Sequence, residues 1–114
     1  MYSYRKAVKE DVREWIEDNN AELDYDTIYE GCWIDDSVTG NGSGSYTFNR
    51  NGARTNFFRD LDSEDYIYNM CEEGFTTTEE VGKHIVNGDW EWIDVIIRCY
   101  LLGEVVQDVI DEME

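Results

Sequence analysis

The sequence predicts a mainly α-helical fold, with five or six helices around a central C-terminal helix. One small β-hairpin or glycine-rich loop is expected near residues 37–48. Three observations carry this expectation. Apolar residues recur at three- and four-residue steps through most of the chain. The segment WEWIDVIIRCYLLGEVVQDVIDEM is apolar almost all round from Trp92 to Leu102, as a helix packed on several sides is. Proline is absent, so helix stops fall to Gly and Asn, and strand signals are confined to one stretch.

In chain order, Tyr4, Val8, Val12, Trp15 and Ile16 form the first stripe, with Ser3 as its N-cap and Asn19-Asn20 as its stop. A second helix is expected from the capping Asp24 to about Asp35, burying Ile28, Cys32 and Trp33. The stretch DDSVTGNGSGSYTF then places Asn41-Gly42, the dipeptide favoured in two-residue hairpin turns, between Val38 and the pair Tyr46 and Phe48. Helix initiation returns at Asn49 and runs through Phe57 and Phe58 to about Asp60. Ser63 is expected to cap a helix with Tyr66, Ile67, Met70 and Cys71 on one side and Gly74 as its stop. Thr77 and Glu80 have capping-box spacing for a short helix ending at Asn87-Gly88. Asp89 caps the last helix, whose later turns become one-sided, with Val105, Val106, Val109 and Ile110 set against acids.

The 114 residues suit a single acidic globular domain, residues 1–114, and the 41% hydrophobic and 14% aromatic content is that of a folded chain. Charge is the outlier. Twenty-seven acids against nine bases give −18, beyond the magnitude of about 2–8 usual for a small domain. Residues 1–48 carry a net −7, residues 49–60 a net +2 and residues 61–114 a net −13. Neutralising phosphate needs a basic footprint, so direct nucleic-acid binding and an anionic membrane surface are both disfavoured. No apolar run approaches the ~20 residues of a membrane span. MYSYRKAVKEDV lacks an apolar core, so no signal peptide is expected. Cys32, Cys71 and Cys99 form no C-x-x-C pair and read as reduced, largely buried thiols.

The glycine-rich stretch fits neither a phosphate nor a calcium loop. A P-loop needs a lysine after its second glycine, and no Lys or Arg lies between Gly40 and Phe48. With Asp35 as the first position of a calcium loop, the twelfth, which must be a bidentate acid, is Tyr46. The run Asp60, Asp62, Glu64 fails because Asp65 stands at the glycine position. His84 is the lone histidine, and no nucleophile lies near it in sequence. The expectation is therefore no enzyme, no cofactor and no metal, with cation binding at Asp35 and Asp36 as a minor third class.

What survives is the acidity. Glu91, Asp94, Glu104, Asp108, Asp111 and Glu112 fall on or near one face of the last helix, where Arg98, at i+4 from Asp94, is placed to pair with it. Glu72, Glu73, Glu79 and Glu80 add two close pairs. Such a surface competes for grooves that hold polyphosphate, with association that is fast and salt-sensitive. Asp35, Asp36, Thr39, Asn41, Ser43 and Tyr46 offer a second candidate contact, either a recognition element or a specialised turn.

The run WIDDSVTGNGSGSYTFN, Trp33 to Asn49, together with DVIIRCYLLGEVV, Asp94 to Val106, and the N-terminal YRKAVKEDVREWI, resembles a group of small acidic proteins encoded by phages and mobile elements of gut Firmicutes. Residues 50–75 depart from that group, with glycine and arginine in place of a more regular acidic helix. The resemblance carries over no catalytic residues. It implies a phage-associated setting in the cytoplasm of a bacterial host. The expectation that follows is a non-enzymatic inhibitor whose partner is a basic nucleic-acid-binding protein, such as a nuclease or CRISPR effector. The alternative is a small structural or regulatory phage protein, in one form a homodimer, whose acidity only confers solubility.

Overall fold

The computed structural model describes residues 2–33 and 52–114. Among them are six α-helices and no strand: α1 (Tyr4–Asn19), α2 (Tyr25–Cys32), α3 (Ala53–Arg59), α4 (Ser63–Glu72), α5 (Thr78–Val86) and α6 (Trp90–Met113). The fold is mainly α, as the periodicity predicts. The expected hairpin lies outside the described residues. Two boundaries differ from expectation: α2 ends at Cys32 rather than near Asp35, because Trp33 leaves helical geometry at ψ 123°, and α3 begins at Ala53 rather than Asn49, because Gly52 precedes it in the left-handed conformation at φ 76°.

Local chemistry sets most boundaries. Ser3, Asp24 and Thr77 each accept a hydrogen bond from the backbone N–H three residues on, at 3.2, 3.1 and 3.1 Å. Asp89 does the same for α6, accepting from Trp92 N–H at 3.4 Å. Asn20 closes α1 in the left-handed conformation, φ 48°, with its N–H directed to the Glu17 and Ile16 carbonyls. Gly74, φ 77°, lets the chain fold back behind α4 so that Phe75 N–H reaches the Met70 carbonyl at 2.8 Å.

One cap differs from expectation. Ser63 is the first residue of α4, and its hydroxyl donates to the Phe57 carbonyl at 2.7 Å. Asp62 takes the cap position. The buried Asp60 is the organising residue of this junction. Its Oδ1 accepts from Asp62 N–H at 2.9 Å and its Oδ2 from Tyr4 N–H at 2.7 Å. A carboxylate from the α3–α4 junction thus satisfies an orphan donor at the start of α1.

The five other helices all pack on α6, and α1 also packs on α2. Residues 92–99 of α6 are buried without a break, while Val105, Val106, Val109 and Ile110 bury a single face beyond them. Tyr4, Val8, Val12 and Ile16 of α1 and Ile28 and Cys32 of α2 meet this core. The α1–α2 approach is close because Gly31 has no side chain. A Cβ there would lie 2.0 Å from Trp15 Cζ2. Tyr25 ties α2 to α6 by donating to the Gly103 carbonyl at 2.7 Å.

Candidate functional site

The acidic face of α6 divides into buried, paired and open carboxylates. Asp94 corrects the sequence reading. It is fully buried, with Oδ2 accepting from Arg98 Nε at 2.8 Å, so it belongs to no exposed acidic surface. Arg98 is equally enclosed. Its Nη2 donates to the Tyr2 hydroxyl at 2.7 Å, and its guanidinium lies 5.3 Å from the Tyr4 ring centroid. Burial works to lower the Arg98 pKa, but the Asp94 charge and hydrogen bond, with those of Tyr2, outweigh it and hold the group above its ordinary value. Removing two charges from water is costly unless geometry compensates. Here an i,i+4 pair, a phenol and two aromatic faces supply that compensation.

Three more candidate acids are occupied by cations of α1. Arg5 donates to Glu104 Oε2 at 2.8 Å and to Asp108 Oδ2 at 3.3 Å. Glu112 accepts from Arg13 at 2.7 Å and pairs closely with Lys9. The hydrogen bond from Lys9, aided by Arg13 and both positive charges, keeps the Glu112 carboxyl below its usual range. Arg5, Lys9 and Arg13 stand at i, i+4 and i+8, so one stripe of α1 faces one stripe of α6. Asp111 is exposed and accepts from Gln107 at 3.0 Å, and Glu91 is exposed in the first turn of α6. Only these two of the six are open acids. The loop candidates Asp35, Asp36, Thr39, Asn41, Ser43 and Tyr46 lie outside the described residues.

The sequence does not announce a groove formed by α3, α4, α5 and the start of α6. Two adjoining hollows, of about 270 and 430 Å³, share Glu64 and Ile67 of α4. The smaller is completed by Phe57 and Phe58 of α3, Ile85 of α5 and Trp90 at the start of α6. The larger runs along Tyr68, Cys71 and Glu72 toward Thr78 of α5. Phe57, Phe58 and Trp90 form a mutual aromatic cluster, with centroid separations of 5.2–5.4 Å. The Arg54 guanidinium lies 5.2 Å from the Phe58 centroid and 5.9 Å from that of Trp90. Phe58 is 60% exposed and Tyr68 64%. Tyr68 was the available signal, because it stands off the core-facing stripe of α4 and has no buried role.

His84 stacks on Trp92 at 3.9 Å, with Nδ1 3.0 Å from Asp89 Oδ2 and Nε2 3.3 Å from Glu80 Oε1. Both ring nitrogens thus face carboxylates on its own surface. Burial pushes the Cys32 thiol up to about 12 and raises Cys71 as well, so both are protonated at neutral pH. No group of three metal-ligating side chains comes together among the described residues. None of the described helices is long and apolar enough to cross a membrane. No protein-family model, curated protein or solved structure matches the chain.

Proposed function

We propose that this protein is a non-enzymatic inhibitor that binds a basic, nucleic-acid-binding host protein and presents carboxylates where that protein expects phosphates. An anti-CRISPR or anti-restriction role is its most concrete form, in keeping with the resemblance to acidic phage-encoded proteins. The observation that carries it is the sorting of charge. Of the nine bases, Arg5, Lys9 and Arg13 are engaged on the α1–α6 seam and Arg98 is buried. The excess of acid is therefore displayed elsewhere, on exposed residues such as Glu64, Asp65 and Glu72 of α4 and Glu79 of α5. Among the described residues, none of these four takes part in an ion pair. A field of this sign attracts a cationic groove at a distance.

Competition in gel-shift assays against a panel of nucleases and CRISPR effectors tests the reading. The expected result is displacement of DNA or RNA that weakens as salt rises. Absence of salt-sensitive competition across the panel would sink it. The second reading, acidity for solubility alone, is favoured by the neutralised face of α6. It predicts that reversing Glu64, Glu72 and Glu79 to Lys leaves function intact and lowers only solubility.

A further inference from the structure

We propose that the groove between α4 and α5 is the docking site for a cationic amphipathic helix of the partner, with apolar anchors on Phe58, Tyr68 and Ile85 and basic residues on Glu64 and Glu72. This docking mode rests on the acidic-binder reading of the protein and adds to it the face and the chemistry of the contact.

The shape comes first. The two hollows share Glu64 and Ile67 of α4, and together their linings run from Glu64 to Glu72 of this helix, whose ten residues span about 15 Å, the length of two to three helical turns. That suits anchors at i, i+4 and i+7 of a helix laid in the groove. The walls are apolar and open: beside Phe58 and Tyr68, Ile85 is 37% exposed. Single exposed apolar residues are ordinary, but here they line two hollows that meet at Glu64 and Ile67.

Charge selects the occupant. Glu64 borders both hollows and Glu72 the larger one, and neither pairs with a cation among the described residues. Nucleic acid and anionic lipid are repelled. A second copy of the chain would bring a groove of the same sign, and a two-fold contact would oppose carboxylate to carboxylate. A basic helix meets both requirements. The aromatic end already demonstrates the contact in miniature, since Arg54 lays its guanidinium against Phe58 and Trp90. An arginine of the partner would find the same kind of surface.

The test uses the full chain, 15N-labelled, titrated with an 18-residue Leu/Lys amphipathic helical peptide and separately with deca-arginine. The expected outcome is that the Leu/Lys peptide shifts amides around Phe58, Ile67, Tyr68 and Ile85. The triple variant Phe58→Ser, Tyr68→Ser, Ile85→Ser then weakens that peptide by at least ~10-fold while changing deca-arginine binding by less than about 2-fold. Glu64→Lys with Glu72→Lys weakens both. Shifts centred on α1 and α6, or equal peptide affinity in the wild type and the triple variant, would overturn the groove and leave the acidic-binder reading standing. The wild-type shift map decides this even if the triple variant does not fold. If neither peptide binds at low salt, the acidic-binder reading fails and the groove with it. If sedimentation finds a wild-type dimer that the triple variant turns into monomer, the occupant is a second copy and the proposal is wrong.

Discussion

The α1–α6 seam and the α4–α5 groove are both rich in acid and flanked by aromatic rings, yet they are built to opposite ends. On the seam Glu104, Asp108 and Glu112 each face a cation, and Asp94 is enclosed with Arg98 beneath Tyr2 and Tyr4. In the groove Glu64 and Glu72 face no cation among the described residues, and Phe58 and Tyr68 are mostly exposed. The same residue types thus complete an internal contact in one place and remain open to an external one in the other. Net charge reports neither arrangement, because it sums over both.

The sharpest way to break the comparison is at its buried end. Asp94→Ala or Arg98→Ala leaves an uncompensated charge in the core and is expected to cost about 3–5 kcal/mol in urea unfolding. Replacing the pair together, with Asp94→Leu and Arg98→Met, is expected to recover most of that loss. A double variant as unstable as the singles would show that the network is needed for more than charge balance.

Gly31→Ala tests the close approach that seats α2 beside the seam. Helix propensity favours the change by about 0.5–1 kcal/mol, but overpacking against Trp15 is expected to cost about 1–3 kcal/mol. The net effect should be a lower Tm, with partial recovery when Trp15→Leu is added. Asp60→Ala removes the carboxylate that caps α1 from the α3–α4 junction, and a loss of about 1–2 kcal/mol is expected in the same assay.

Smaller effects follow at the exposed part of the seam. The folded-state pKa of Glu112 is depressed, so its stabilising contribution is present above the ordinary glutamate range and is lost as pH falls through the folded value. Glu112→Gln should therefore lower Tm slightly at neutral pH, and the difference from wild type should vanish in acid. A difference that persisted in acid would point to something other than the Lys9 and Arg13 pairs. Smallest of all, Tyr68→Ser and Val86→Ser should change stability by less than about 0.5 kcal/mol, because both side chains are mostly in solvent. A large loss at Tyr68 would make it part of the fold and close the groove.

Much of the helical layout is legible in the chain. Ser3, Asp24, Thr77 and Asp89 cap the helices their positions announce, because a cap is a contact over three residues. Asp60 was unreadable for the opposite reason: its partner, Tyr4, is 56 residues away. The Asp94–Arg98 spacing was visible as a pair but not as a buried one, since i,i+4 pairs on exposed and enclosed faces look alike in sequence. The acids of α6 looked like one surface until α1 was laid against them, with Arg5 and Glu104 separated by 99 residues.

Periodicity, capping residues and the all-round apolar run of α6 determined by themselves a helical domain centred on its last helix, because each is a local property of consecutive turns. The total of −18 was likewise fixed by composition. Which carboxylates are consumed and which are displayed was decided only by tertiary structure, because Coulomb interaction and desolvation depend on distance and burial. Three bases of α1 could neutralise the end of α6 only once the two helices packed side by side, while the packing of α3, α4 and α5 set Glu64 and Glu72 beside open apolar hollows.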